Sequence, residues 1–135
     1  MHSRVAHTNI EIMKRLGMDV YISGPEEYND NSSTFITVDE AIKDMDVIML
    51  LRVQFERHSE NMSMSIEEYH QQYGLSLDKV NKMKDKAIIM HPAPVNRGVE
   101  IADDVVECEK SRIFPQMKNG VYIRMAVISE AMDGK

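Results

Sequence analysis

Apolar and polar positions change period repeatedly along this chain, from helical spacing to extended runs and back. Val5, Ile12, Met13 and Leu16 recur near one face of a helical period, and Gly17 supplies the stop. Val20-Tyr21-Ile22 then predicts a short strand, ended by Ser23-Gly24-Pro25. Residues 26–33 are acidic and rich in Asn and Ser, the chemistry of a solvated loop or short helix. Phe35-Ile36-Thr37-Val38 is mostly β-branched and predicts an edge strand, after which Asp39 is placed to cap a short helix through Ala41 and Ile42. Val47 to Leu51 is a continuous apolar run, which predicts a strand inside a parallel sheet.

From Arg52 to Met64 the chain is polar without a period, a candidate mobile loop. Ser65 with Glu68 three residues on forms a capping-box pattern opening a helix toward Tyr73, with Gly74 as its stop. Ser76 caps a further helix through Val80 and Met83. Ala87 to Met90 reads as a second short buried strand, and Pro92 with Pro94 bars a helix directly after it. Residues 103–107 and 116–132 are the last predicted helices. Strands alternating with helices at this spacing specify an α/β fold, a doubly wound parallel sheet flanked by helices. The chain enters its first helix with no strand before it, so the sheet is expected to lack its first, central strand.

With 135 residues, the chain is long enough for one domain with a real core, and residues 1–135 are taken as that domain. A charged fraction of 28% and an apolar fraction of 43% are ordinary for a soluble globular chain. The net charge of −6 argues against a nucleic-acid or anionic-membrane partner, which needs clustered Lys and Arg. No apolar stretch approaches membrane-spanning length. The lone Cys108 excludes an internal disulfide and fits a reducing cytoplasm. With no His or Cys cluster around it, it reads as a small residue on a helix face.

Two strand ends carry the candidate chemistry, because open α/β sheets bind ligands beyond the carboxyl ends of their strands. Arg52 follows the apolar run 47–51, and Arg4 stands at the start of the first helix. Each offers a planar, permanently charged fork for a carboxylate or phosphate, although from spacing alone a strand-end arginine is more often a salt-bridge partner. Gln54, Glu56 and Arg57 lie in the loop that follows, where the plain reading is solvated charge. In His91-Pro92-Ala93-Pro94 the two prolines fix the backbone and expose the Ala93 carbonyl, in either a ligand contact or a rigid turn. His91 itself reads as hydrogen-bonded framework beside a strand end. The remaining histidines are scattered, with no metal-ligand spacing, and no Gly-rich phosphate loop appears, so neither metal nor cofactor is expected.

Ser3-Arg4-Val5, Leu51-Arg52-Val53-Gln54 and His91-Pro92-Ala93-Pro94 together resemble the second half of aspartate carbamoyltransferases, which condense carbamoyl phosphate with L-aspartate in pyrimidine synthesis. The resemblance spans nearly the whole chain and implies roles for particular residues. Arg4 and Arg52 become ligands of the two aspartate carboxylates, with Gln54 as a further L-aspartate contact. Ala93 and Pro94 become backbone contacts to carbamoyl phosphate, and Glu56 and Arg57 become supports of a loop that closes over aspartate. Ornithine enzymes carry a His-Cys-Leu-Pro segment where Ala93 and Pro94 stand here, so the resemblance favours a dicarboxylate co-substrate.

The same resemblance implies a catalytic apparatus that this chain does not carry. In the family a Ser-Thr-Arg-Thr phosphate cradle, a further arginine and a histidine come from the N-terminal domain. A lysine and a serine come from a neighbour in a homotrimer. The chain is therefore expected to hold the aspartate side of a cytoplasmic enzyme, to be inactive alone, and to lack a strand and Gly-Asp turn that relatives have upstream. The alternatives are a non-catalytic remnant or interaction module of the family, or a transcarbamoylase using another amino acid.

Overall fold

A computed structural model of the chain describes residues 4–53 and 64–134. Helix α1 spans Arg4–Arg15, β1 Tyr21–Ile22, β2 Thr34–Phe35, α2 Val38–Asp44 and β3 Val47–Met49. Then come α3 at Ile66–Gln72, α4 at Leu77–Val80, β4 at Ile88–Met90, α5 at Asp103–Val106 and α6 at Ile113–Met132. The strands pair in parallel, β1 with β2 and β3 with β4, as two separate two-stranded sheets among the described residues. The α/β alternation and parallel pairing expected from the periods are present, while a single continuous sheet is not.

Two local expectations shift because capping competes with strand propensity. Val38 belongs to α2, not to the preceding strand. Thr37, not Asp39, is the N-cap, its hydroxyl accepting from the Glu40 amide while the Glu40 carboxylate accepts from the Thr37 amide. The predicted box at Ser65 and Glu68 forms as expected and opens α3. Helix α6 starts at Ile113, three residues earlier than predicted, since Pro115 is tolerated within a first helical turn.

The interior strand is β4 and not β3. Ile89 is fully buried, and β4 is flanked on both sides: β3 runs along one edge, while Ile89 pairs with Ser111 on the other. The Ile89 amide donates to the Lys110 carbonyl at 2.9 Å and the Ile89 carbonyl accepts from the Arg112 amide at 2.8 Å. β3 pairs with β4 alone among the described residues, and Val47 is 46% exposed. A continuous apolar run indicates two apolar faces; it does not specify which neighbours arrive.

The main core gathers Ile42, Leu75, Val80, Ile89, Ile101 and Val106, with α2 on α4, α4 on α5, and α6 meeting β4. A smaller cluster of Val53, Tyr69 and Val99 adjoins the end of β3. By contrast α1 contributes no buried residue, and α6 buries only Ile113 while Tyr122, Ile123, Met125 and Ile128 stand exposed. Helix α1 is tied down by polar bonds instead: His7 Nε2 lies 2.8 Å from Asp30, and Lys14 donates to the Ser32 carbonyl. Ser32's side chain and amide, and then the charge of His7, hold the Asp30 carboxyl down to about 2. No helix among the described residues is long and apolar enough to cross a membrane.

Gly74 ends α3 for a reason that the sequence pattern does not reveal. A Cβ there would fall 2.5 Å from His70 Nδ1 and 2.6 Å from the Val99 carbonyl, which themselves hydrogen-bond at 2.8 Å. Gly120, inside α6, would meet only the flexible Arg124 side chain at 3.5 Å. Gly74→Ala is therefore expected to destabilise the chain by about 1–3 kcal/mol through overpacking. Gly120→Ala is expected to stabilise it by about 0.5–1 kcal/mol through helix propensity. Urea denaturation of the two variants checks the opposite signs.

Candidate functional site

Strands β3 and β4 end level, because their parallel register pairs Met49 with Met90 and the Leu50 amide continues the ladder to the Met90 carbonyl at 2.9 Å. The segments beyond them, Leu51-Arg52-Val53 and His91 to Asn96, therefore leave the same carboxyl edge side by side. A third segment, Val99-Glu100-Ile101, is fixed against Leu75. The Leu75 amide donates to the Glu100 carbonyl at 3.0 Å, and the Ala102 amide donates to the Leu75 carbonyl at 3.0 Å.

Glu100 joins the three segments. It is 3% exposed, and its carboxylate accepts from His91 Nε2 at 3.2 Å, from the Asn96 amide at 2.6 Å and from the Val53 amide at 3.4 Å. Three donors satisfy a buried charge whose desolvation would otherwise be costly. His91 is fully buried, and its ring is fixed in one tautomer. The Ala93 amide donates to Nδ1 at 2.9 Å, so Nδ1 is unprotonated and the proton sits on Nε2, facing Glu100. The His91 amide in turn donates to Gln116 Oε1 on α6 at 2.9 Å. His91 is thus framework, as its position beside a strand end suggested.

Asn96 carries the network to Arg52. Its Oδ1 accepts from Arg52 Nε at 3.3 Å and its Nδ2 donates to the Val53 carbonyl at 2.7 Å, two opposite demands that fix the carboxamide orientation. Arg52 is half-buried, and the next residue, Val53, sits at 8% exposure in the cluster with Tyr69 and Val99. Burial pushes the Tyr69 hydroxyl well above its ordinary range, with the Glu100 charge adding to the effect. Ala93 adopts φ 57° and its bond to Pro94 is cis.

Of the residues predicted to bind ligands, Arg52, Ala93 and Pro94 fall on these adjoining strand ends. Arg4 opens α1 as an exposed residue, and none of the hydrogen bonds of the network reaches it. Gln54, Glu56 and Arg57 lie outside the described residues. Sequence reasoning missed Asn96 and Glu100. The signal for Glu100 was a single acid between Val99 and Ile101, in an aliphatic run where a charge is either solvated or buried with partners. Asn96 offered no signal, since an Asn after two prolines reads as turn.

The arginine and the proline-flanked turn stand beyond the carboxyl ends of parallel strands, the place where open α/β sheets bind ligands. Residues 1–130 match the family model of the aspartate/ornithine carbamoyltransferase Asp/Orn binding domain, and the chain belongs to that family. It is 53% identical over 138 aligned residues to an aspartate carbamoyltransferase catalytic subunit of Streptococcus pyogenes, covering 99% of this chain and 44% of that protein. The chain therefore spans under half the length of such relatives. Ornithine carbamoyltransferase from Pyrococcus furiosus superposes with a TM-score of 0.73 at 26% identity, over 92% of this chain and 45% of that one. Ligand-free aspartate transcarbamoylase from Trypanosoma cruzi gives 0.74 at 20% identity, over 93% and 45%, a likeness of fold.

The His91 geometry has a spectroscopic consequence. Nitrogen-15 NMR of the imidazole is expected to show the Nε2–H tautomer, with Nδ1 as acceptor. His91→Phe keeps a ring but leaves the Glu100 carboxylate short of a donor and the Ala93 amide without an acceptor. Its expected cost is about 1–3 kcal/mol or more, read from chemical denaturation.

Proposed function

We propose that this chain is the L-aspartate-binding part of an aspartate carbamoyltransferase. The whole enzyme would convert carbamoyl phosphate and L-aspartate to N-carbamoyl-L-aspartate and phosphate, in the cytoplasm. The observation that carries this reading is the 53% identity to the streptococcal catalytic subunit across 99% of the chain. The half-buried Arg52, tied to Asn96 at the carboxyl edge of β3, supports it from the geometry.

In this reading Arg52, Arg4 and Gln54 take the L-aspartate, the arginines as forks for its two carboxylates. The Ala93 carbonyl accepts from the amino group of carbamoyl phosphate, beside Pro94. Glu56 and Arg57 steady the loop that closes over the dicarboxylate and expels water. The uncharged amine of aspartate attacks the carbonyl carbon, a tetrahedral intermediate forms, and the carbon–oxygen bond to phosphate breaks. No covalent bond to the protein is needed; orientation and fixed charge supply the rate. The phosphate cradle and the donors to the carbonyl oxygen belong to the rest of the enzyme and to neighbours in a homotrimer. The exposed apolar side chains along α1 and α6 favour such a larger assembly, since they are costly to leave in water.

In the whole enzyme, Arg52→Ala is expected to lower kcat/KM for L-aspartate by about 10²–10³-fold, the loss of one partner of a buried charge pair. Steady-state formation of N-carbamoyl-L-aspartate measures it. The purified 135-residue chain is expected to form none of that product, and turnover by it would refute the division of labour.

A further inference from the structure

We propose that Glu100 is a positioning residue: its buried carboxylate sets the Arg52–Val53 peptide and, through Asn96, aims the Arg52 guanidinium at the dicarboxylate substrate. This rests on the reading of Arg52 as an L-aspartate ligand and extends it to two residues that do not touch substrate.

The geometry runs in two parallel links from one side chain. Directly, Glu100 Oε2 accepts from the Val53 amide at 3.4 Å, which fixes the peptide immediately after Arg52. Indirectly, Glu100 Oε1 accepts from the Asn96 amide at 2.6 Å, and the Asn96 carboxamide bridges Arg52 Nε at 3.3 Å and the Val53 carbonyl at 2.7 Å. The Val53 amide, directly, and the Val53 carbonyl and Arg52 Nε, through Asn96, are thus linked to one carboxylate. That carboxylate stands on a rigid base, since its own backbone carbonyl is bonded to Leu75 and its Oε1 is also held by His91 Nε2 at 3.2 Å. A guanidinium on a strand end has several rotamers of similar energy, and a bidentate contact needs one of them. Fixing Nε through Asn96 selects among those rotamers before substrate arrives, which lowers the ordering cost of binding.

Glutamine at position 100 separates this role from simple packing. Its carbonyl can keep the bonds to His91 and Asn96, but its amide group then faces the Val53 N–H, donor against donor. Volume and two of three bonds survive while the strap on the Arg52–Val53 peptide is lost.

The test is made in the whole carbamoyltransferase that carries this segment, with Arg52→Ala as reference. Glu100→Gln is expected to raise KM for L-aspartate about tenfold, while kcat and KM for carbamoyl phosphate stay within about threefold. A purely structural Glu100 would instead lower the active fraction, seen as a fall in kcat at unchanged KM, and that result overturns the proposal. Asn96→Ala, at a partly buried position, removes the second link without touching the carboxylate and is expected to give a shift in the same direction and of similar size. It decides the matter if the Gln variant does not fold. In an Arg52→Ala background either change is expected to add less than about twofold, because both act through Arg52. If Arg52→Ala raises KM and neither Glu100→Gln nor Asn96→Ala does, the positioning role alone is overturned. If Arg52→Ala leaves KM unchanged, the reading of Arg52 as a ligand fails and this inference with it.

Discussion

A carboxylate taken out of water at the junction of three segments constrains everything around it. Glu100 is almost wholly buried, and a charge in that position persists only while its donors are held within hydrogen-bond reach. Those donors come from the end of β3, from the end of β4 and from the turn that leads back to Glu100 itself. Meeting the electrostatic demand therefore fixes where both strand ends go, and with them the arginine and the proline-flanked turn. Had the position been aliphatic, hydrophobic contact would tolerate sliding between these segments; a hydrogen-bonded charge does not.

The rest of the fold is arranged around that junction unequally. Buried residues of α2, α4, β4, α5 and the start of α6 share the main core, with Ile89 and Ile101 fully buried in it, while Tyr69 of α3 packs with Val53 and Val99 in the smaller cluster beside the junction. Helix α1 and most of α6 lie outside that core and expose apolar side chains. Such an imbalance is unusual for a chain that buries its own surface, and it agrees with a length under half that of its family relatives. The segments beside the main core carry the candidate site residues beyond β3 and β4, and the exposed apolar side chains of α1 and α6 lie apart from it.

Much of this was legible in the residues. Period changes gave the alternation of helices and strands, and the Ser65–Glu68 box marked the start of α3 because a cap is a local exchange of hydrogen bonds among four residues. The proline pair marked the turn after β4, and Arg52 was marked by its place after an apolar run. These features depend on short spacings, so the sequence states them outright. It also carried the family, through motifs whose residue types are all present in order.

Other features needed the folded chain, since they depend on which distant segments meet. The apolar run 47–51 announced a strand, but only pairing shows that β4 holds the interior place and β3 the exposed one. Gly74 looked like a helix stop; the carbonyl of Val99 and the ring of His70, one of them 25 positions away, make it a point of close approach. Glu100 and Asn96 were unremarkable letters until the fold set them against Arg52 and Val53, 43 to 47 positions earlier. Local physics, meaning caps, turns and periodicity, is written in neighbouring residues and was determined by the sequence alone. The identity of a buried charge's partners is a property of three-dimensional proximity, and only the tertiary structure decided it.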